Sequence, residues 1–329
     1  MTADQNPETM AYSAGPVVTE VLAVSANPMV DGQLVPLFDV FESVADDRYQ
    51  ITQSMSLSRL SEVYRATDWR DKSVGAVALK VFHEPDAAAS RRVGRELQAH
   101  LLLDGLPGIV SFSDAGVLEK DDQSYRYLAT RFAEGGTLAD HIEQDPNNVE
   151  LVRSMASQIL PALGLMHDRG VIHRDVKPDN ILVGEGGNAF ELTDFGIVDL
   201  DRFKDMGKAA LHDGEAPVDS AIETPIDRIS GTPGFIAPEA FDLDEPIGPE
   251  VDVFAMGVVL FQGMTGKLPF ASGKIHEYRV AVTNESPVPI RSLNRRIPEA
   301  LEELTMESLR KDPHDRPRID ELEARLQAV

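Results

Sequence analysis

The chain has 329 residues, of which 42% are hydrophobic and 26% charged, the balance of a folded globular protein with room for more than one small domain. Its formal net charge of −24 argues against binding to nucleic acid or to anionic membrane surfaces. It has no cysteine, which excludes disulfides, thiolate metal sites and cysteine nucleophiles and favours a cytoplasmic location.

No targeting or membrane segment is visible in the sequence. Residues 1–47 hold eight acidic residues and no lysine or arginine, so the basic start of a secretion signal is missing. The most apolar long run, residues 251–264, is shorter than a membrane span and contains Asp252 and Gln262. We therefore expect neither a signal peptide nor a membrane helix.

Residues 1–47 form an extension with two short apolar runs, at 17–24 and 34–40, among proline, glycine, serine and asparagine. This composition is typical of a disordered segment. The run at 17–24 also has the pattern of a strand, which would let the extension dock on the rest of the chain or on a partner. The sequence leaves both interpretations open.

The next part of the chain predicts strands and one helix. Strands are expected over residues 49–56 and 62–67, and an alternating strand ends at Lys80. Val93, Leu97 and Leu101 recur at helical spacing and predict a helix over 91–103. Two further strands, over 110–117 and 125–132, flank a polar turn.

From residue 137 onward the pattern is mainly helical. A short helix over 137–143 precedes Asn147 and Glu150, whose capping-box spacing predicts a long helix that begins after Asn147 and ends near Gly170. Residues 250–265 predict a strongly apolar helix, and residues 298–309 and 319–328 predict amphipathic closing helices.

The segment 171–180, Val-Ile-His-Arg-Asp-Val-Lys-Pro-Asp-Asn, carries the chemistry. Asp175 can hold and deprotonate a hydroxyl, and Lys177 can neutralise a transferring phosphoryl group. Asn180 offers a neutral oxygen to Mg²⁺, and Asp194 offers a carboxylate. Phosphoryl transfer depends on positioning and charge neutralisation, so these residue types indicate that reaction.

This arrangement, with Asp194-Phe-Gly after it, resembles the catalytic loop and DFG segment of eukaryotic-like serine/threonine protein kinases, in a form similar to bacterial or phage-borne members. The resemblance covers roughly residues 48–329. It implies an α+β, bilobal fold. Residues 48–133 would form a small lobe with a five-stranded antiparallel sheet, one helix and the hinge. Residues 134–329 would form a larger, mainly helical lobe.

The resemblance also implies an ATP site between the lobes. Lys80, held by Glu96, would reach the α and β phosphates. Thr130 would be the gatekeeper beside the hinge, whose backbone would bind adenine, and Leu182 would form the floor. The residues assigned to this site are Ser56, Ser58, Ser61, Val63, Ala78, Lys80, Glu96, Thr130, Arg131, Ala133 and Leu182, and those assigned to Mg²⁺ are Asn180 and Asp194.

The loop expected over the ATP phosphates departs from the family. Ser56, Ser58 and Ser61 occupy its three glycine positions, although the spacing to Val63 is kept. Glycine permits a positive φ and a close approach of the backbone to phosphate. Either the loop is a tolerated variant that still covers ATP with weaker affinity, or one of its serines is phosphorylated and then repels the nucleotide.

The activation segment would run from Asp194 to Glu239 and is long for this family, with an acidic middle over 199–228. Arg174 matches an arginine that often binds a phosphate on this segment. The candidate phosphorylation sites are Ser220, Thr224 and Ser230.

The same resemblance assigns roles to four residues around the catalytic loop. Thr232 would hydrogen-bond between Asp175 and Lys177, which favours Ser/Thr as the acceptor. Asp252 would accept backbone N–H groups of the catalytic loop, and Arg316 would pair with Glu239.

We therefore predict an ATP- and Mg²⁺-dependent protein kinase with protein substrates, which also autophosphorylates. Two alternatives remain open. A pseudokinase, binding nucleotide as a scaffold, is favoured only by the glycine-free loop. A phosphotransferase for small molecules is disfavoured, because the segment ending at Glu239, together with Asp252 and Arg316, resembles a protein-docking lobe.

Overall fold

The computed structural model describes residues 29–30, 33–45, 47–72, 75–84, 87–198, 231–242, 247–271 and 273–328. Within them the chain forms a small lobe, built on an antiparallel sheet with one long helix, and a larger lobe that is mainly helical. The α+β, bilobal architecture expected from the sequence is confirmed.

The sheet of the small lobe has six described strands where we expected five. The additional strand belongs to the amino-terminal extension, where Ser43 pairs with Gln50 and Val44 with Tyr49. In the spatial order of the sheet, the strands are β3 (Ser43–Val44), β4 (Tyr49–Leu57), β5 (Ser61–Asp68), β6 (Ala76–Phe82), β8 (Gln123–Arg131) and β7 (Phe112–Lys120). The extension also forms a separate hairpin of β1 (Met29–Val30) and β2 (Gln33–Leu34).

Residues 37–45, here called the arm, cover the outer face of this sheet. Phe38 and Val44 are buried in one core with Ile51, Tyr64 and Leu79. The docking interpretation of the extension therefore holds for the arm, whereas the run at 17–24 lies outside the described residues.

Helix α1 (Ala87–Leu103) packs on the opposite face of the sheet. Its Val93 shares a small core with Phe82 of β6 and Leu128 of β8. The arm thus covers one face of the sheet and α1 covers part of the other, and the strand alternation selects which residues point to each face.

The larger lobe is built around α4 (Glu250–Thr265), which is buried on all sides. Glu250 and Asp252 lie in its first turn, and Gly266 ends it in the left-handed conformation at φ +68°. The helices of this lobe are α2 (Leu138–Gln144), α3 (Val149–Asp168), α4 (Glu250–Thr265), α5 (Ile275–Asn284), α6 (Ile290–Leu293), α7 (Glu299–Ser308) and α8 (Ile319–Gln327), and a short hairpin pairs β9 (Ile181–Val183) with β10 (Phe190–Leu192).

The start of α3 corrects one detail of the sequence prediction. The capping residue is Asn148, whose side chain accepts a hydrogen bond from the Leu151 backbone N–H, rather than Asn147. Asn147 instead takes a left-handed conformation at φ +78°. Two adjacent asparagines made the spacing ambiguous by one residue, because asparagine suits both positions.

Candidate active site

The register of the sheet places the predicted nucleotide-binding residues of the small lobe on one face. Val63 lies opposite Lys80, and Ala78 lies opposite Thr130. Residues opposite each other in antiparallel strands point to the same face, as do residues two apart on one strand. Val63, Ala78, Lys80 and Thr130 therefore all face the cleft.

Lys80 is held at the back of this cleft by two carboxylates. Its Nζ lies 2.6 Å from Glu96 Oε1 on α1 and 2.9 Å from Asp194 Oδ1. Burial acts to lower the pKa of Lys80, but Asp194 and Glu96 outweigh it and raise that pKa above its ordinary value. Lys80 is therefore charged and fixed, which suits it to bind phosphate oxygens.

Glu96 and Asp194 have different pKa values because their surroundings differ. Burial raises the pKa of Glu96 to about 7, and Lys80 opposes that rise. Lys80 lowers the pKa of Asp194 to about 2. Asp194 is therefore ionised at neutral pH, as a ligand for a cation must be.

Phe195, the residue after Asp194, packs between two histidines that the sequence reasoning missed as a group. Its ring lies 4.7 Å from the His100 ring and 5.4 Å from the His173 ring, both edge to face. Burial lowers the pKa of His100 to about 3, so it stays neutral. The available signal was spacing, because His100 lies one helical turn after Glu96 and so shares its face of α1.

Asp252 on α4 holds the backbone of the catalytic loop in place. This fully buried carboxylate accepts the His173 N–H at 2.9 Å and the Arg174 N–H at 2.8 Å, and its Oδ2 lies 2.8 Å from His167 Nε2. Arg174 adopts a left-handed conformation at φ +66°, which is strained for a residue with a side chain. The bonds to Asp252 stabilise that conformation, in agreement with the predicted role.

Asp175 lies where three other predicted residues converge. Its Oδ1 accepts the Thr232 N–H at 3.0 Å and the Thr232 hydroxyl at 2.9 Å. Its Oδ2 accepts the Asn180 amide at 3.0 Å and lies 2.9 Å from Lys177 Nζ. Lys177 Nζ also donates to the Thr232 hydroxyl at 2.6 Å. The structure thus places Thr232 between Asp175 and Lys177, as the resemblance implied.

The side-chain oxygens of Asn180 and Asp194 also fit a magnesium ion bound with a nucleotide. The Asn180 amide nitrogen is used up by Asp175, which leaves its side-chain oxygen as the atom available to a cation. Asp194 is held in a left-handed conformation at φ +64°, with its carboxylate beside Lys80. One carboxylate and one amide oxygen, supplemented by phosphate and water, match the preference of Mg²⁺.

The nucleotide loop closes without glycine. The Ser58 hydroxyl donates to the Ser61 carbonyl at 2.8 Å and accepts the Ser61 N–H at 3.0 Å, while the Ser58 N–H donates to the same carbonyl at 2.9 Å. None of the described residues from 49 to 72 has a positive φ. The turn therefore relies on a side-chain hydroxyl where glycine would supply backbone freedom. Ser56 and Ser58 are exposed.

The hinge region follows β8. Thr130 is buried, and the Arg131 guanidinium forms an ion pair with Glu191 on β10, which ties the small lobe to the larger one. Ala133 is buried in the connection, and the Gly136 N–H donates to its carbonyl at 3.3 Å. Leu182 lies on β9, bridged to Thr137 at the start of α2.

The end of the activation segment is anchored by a buried ion pair. Arg316 donates to Glu239 through Nη1 at 2.5 Å and through Nη2 at 2.7 Å, and its Nη1 also donates to the Glu250 carbonyl at 2.9 Å. This is the predicted pairing. The candidate phosphorylation sites Ser220, Thr224 and Ser230 lie outside the described residues.

A cleft with a charged lysine held by two carboxylates, an aspartate held by three other polar side chains, and an amide and a carboxylate suited to a cation is typical of a phosphoryl-transfer enzyme of the protein kinase class. The protein kinase domain model matches residues 49–325, so the chain belongs to the protein kinase family.

Bacterial serine/threonine kinases are among the relatives of this chain. The chain is 32% identical over 293 residues to serine/threonine-protein kinase pkn3 of Myxococcus xanthus, covering 86% of this chain and 50% of that protein. It is 30% identical over 274 residues to the probable serine/threonine-protein kinase PknB of Lactococcus lactis, covering 82% of this chain and 40% of that protein. It is 28% identical over 272 residues to serine/threonine-protein kinase PknB of Mycobacterium leprae, covering 82% of this chain and 41% of that protein.

The chain therefore matches half or less of the length of these relatives. None of the helices in the described part of the chain is long and apolar enough to cross a membrane.

Proposed function

We propose that this chain is an ATP- and Mg²⁺-dependent serine/threonine protein kinase that transfers the γ-phosphoryl group of ATP to a protein hydroxyl. The observation that carries the proposal is the convergence of Thr232, Asn180 and Lys177 on Asp175 at 2.6–3.0 Å among the four side chains. A polar turn without catalytic use has no need of this arrangement. The similarity to kinases named for serine and threonine supports the acceptor class.

Each residue has a separate role in the transfer. Asp175 orients the acceptor hydroxyl and takes its proton as the oxygen bonds to the γ-phosphorus and the bond to the β–γ bridging oxygen breaks. Lys177 neutralises charge on the transferring group. Lys80, fixed by Glu96, positions the α and β phosphates. Asn180 and Asp194 would hold Mg²⁺, which would supply further charge neutralisation when bound.

The nucleotide would lie on the cleft face of the small lobe. Val63, Ala78, Thr130 and Leu182 would line the adenine pocket, and the backbone of residues 131–133 would bind the adenine edge. The serine turn at 56–61 would cover the phosphates. A cytoplasmic location and the absence of nucleic-acid partners stay predictions.

The test is an autophosphorylation assay with Mg²⁺ and radiolabelled ATP, comparing the natural chain with Asp175→Asn. Loss of a general base lowers the rate about 10²- to 10⁴-fold, so we expect label on the natural chain alone. Mass spectrometry would then map the sites, with Ser220, Thr224, Ser230 and the loop serines as the candidates. Nucleotide binding without label on the chain or on a generic protein substrate would contradict the proposal and indicate a scaffold.

A further inference from the structure

The start of the arm donates a hydrogen bond to a fully buried carboxylate of β5, Glu62, that the described mechanism does not use. Glu62 is 0% exposed. Its Oε2 accepts the Leu37 N–H at 2.9 Å and also the Tyr64 hydroxyl, and its Oε1 lies 2.8 Å from His83 Nε2. Burial acts to raise the pKa of Glu62, but the hydrogen bonds from His83, Leu37 and Tyr64 lower it below its ordinary value. The carboxylate is thus ionised and depends on these donors.

Phe38 fixes the arm over this carboxylate. It is 2% exposed and meets the Tyr64 ring edge to face at 5.9 Å, while its N–H donates to the Tyr64 hydroxyl at 3.1 Å. Tyr64 therefore receives a hydrogen bond from the arm and passes one on to Glu62. Residues 37 and 38 act on the carboxylate together, one directly and one through Tyr64.

Glu62 also lies inside the nucleotide loop hairpin. It stands between Ser61, which closes the serine turn, and Val63, which faces the cleft, and it pairs with Leu57 on β4. His83 holds the same hairpin a second time, because its N–H donates to the Leu60 carbonyl at 2.8 Å. One strand therefore carries the arm's anchor on its outer face and the nucleotide-facing side chains on its inner face.

We propose that the arm positions the nucleotide loop through Glu62 and so sets the affinity of the kinase for ATP, with Phe38 and Glu62 as positioning residues. The inference rests on the proposed function, because it concerns the same nucleotide site. Detaching the arm removes the Leu37 donor and exposes the carboxylate to water, which frees the hairpin to shift. A loop that lacks glycine and depends on the Ser58 hydroxyl needs such external support.

The competing explanation is that the arm only covers apolar surface. A substitution at Val44 distinguishes the two explanations. Val44 is buried in the same core, but it belongs to the other end of the arm, where it pairs with Tyr49. Val44→Ala removes packing without touching Glu62. Phe38→Ala keeps both backbone N–H donors but removes the buried ring that holds them in place, and so loosens the arm from the carboxylate. Phe38→Leu keeps a bulky anchor and serves as the rescue.

The experiment uses the full chain with Phe38→Ala, Phe38→Leu, Val44→Ala, Glu62→Gln and the double variant Phe38→Ala/Glu62→Gln. Binding is measured as the dissociation constant for a fluorescent ATP analogue, alongside KM for ATP, kcat and the thermal midpoint. We expect Phe38→Ala and Glu62→Gln each to raise the dissociation constant and KM about three- to tenfold, with kcat within about twofold, since part of a charge-assisted hydrogen bond is lost. The double variant should be no weaker than either single variant, because both break one linkage.

Val44→Ala and Phe38→Leu should bind the analogue as the natural chain does, even if the thermal midpoint falls. The inference is overturned if Phe38→Ala lowers the thermal midpoint but leaves nucleotide binding unchanged, or if Val44→Ala weakens binding equally. Failure of the natural chain to bind the analogue overturns the proposed function itself, so the two failures are distinguishable.

Discussion

The Asp175 carboxylate has four polar partners in the chain itself: it accepts two hydrogen bonds from Thr232 and one from Asn180, and it forms an ion pair with Lys177. An ionised carboxylate has about four acceptor positions. A substrate hydroxyl therefore has to replace one of these donors. The Thr232 hydroxyl is the one that can rotate away and keep a partner, because Lys177 Nζ donates to it.

Thr232→Val should lower kcat about ten- to hundredfold, because it removes a hydroxyl that bonds to two charged groups. Thr232→Ser keeps that hydroxyl and should retain most activity. The measurement is kcat with a peptide acceptor, with ATP binding as the control for an intact site. Equal activity of the valine and serine variants would show that the hydroxyl is dispensable.

The Lys80–Glu96 pair should make activity sensitive to acid. Burial raises the pKa of Glu96 to about 7, so Glu96 becomes protonated below that pH and loses its hold on the charged lysine. We therefore expect kcat/KM for ATP to fall as the pH drops below about 7. In Glu96→Gln, kcat/KM for ATP should be low at every pH and should not fall further below pH 7, because no carboxylate is left to protonate. Profiles of identical shape would assign the fall to another group.

The individual residues of the site could be predicted because their types and spacing are tied to the reaction. The phosphoryl-transfer chemistry needs Asp175, Lys177, Asn180 and Asp194 in that order along the chain. Glu62 escaped prediction because a single acidic residue in a strand is ordinarily solvated. Its burial depends on donors from Leu37, Tyr64 and His83, and their convergence is a property of the folded sheet.

Helix α4 and the loops beside it form a stack of cations and aromatic rings that reaches Glu239, near the end of the activation segment. Lys311 Nζ lies 3.9 Å from the Phe270 ring centre, Phe270 stacks on Phe254 at 6.1 Å, and the Arg316 guanidinium lies 4.9 Å from the Phe254 ring centre. Burial, and then Arg316, lower the pKa of Lys311 to about 8. The stack fixes Arg316 in place to bind Glu239.

Removing one partner of the buried Arg316–Glu239 pair should be costly. Arg316 has a fully buried side chain, so Glu239→Gln leaves a charge without its partner and should lower the free energy of unfolding by about 3–5 kcal/mol. The matched control is Glu307→Gln, which breaks the more exposed pair with Arg325 and should cost about 1 kcal/mol or less. Urea unfolding measures both. Similar losses would contradict the importance of burial.

The helices and central strands that the sequence predicted agree with the structure to within a few residues, because their periodicity is local, whereas α5 and α6 were not predicted. Nor was the arm. The sequence pattern indicated a strand at 17–24. Within the described residues, however, the contacts between the extension and the sheet core come from Phe38 and Val44. Their partners lie on strands whose position is set by pairing across the whole sheet, which local pattern does not encode.

The net charge of −24 belongs to the whole molecule and should select among protein substrates. A negative field attracts basic partners and is screened by salt. We expect a higher kcat/KM for an acceptor peptide flanked by lysines than for the same peptide flanked by glutamates. The ratio should shrink as ionic strength rises from about 0.1 to about 1 M, where the Debye length falls from about 10 to about 3 Å. A preference unchanged by salt would indicate a local contact.

The position of the arm at the start of the chain also orders events during synthesis. Tyr64 is synthesised 26 residues after Phe38, its partner in the arm. Lys120, which binds Glu42 at 2.6 Å, is synthesised 78 residues after Glu42. At about 5–20 residues per second, Glu42 waits about 4 to 16 seconds for that partner. Meanwhile Phe38 and Val44 leave the ribosome without a surface to cover. We expect the eight acidic residues of 1–47, with no lysine or arginine among them, to favour solubility of the nascent segment until the sheet that receives the arm has formed.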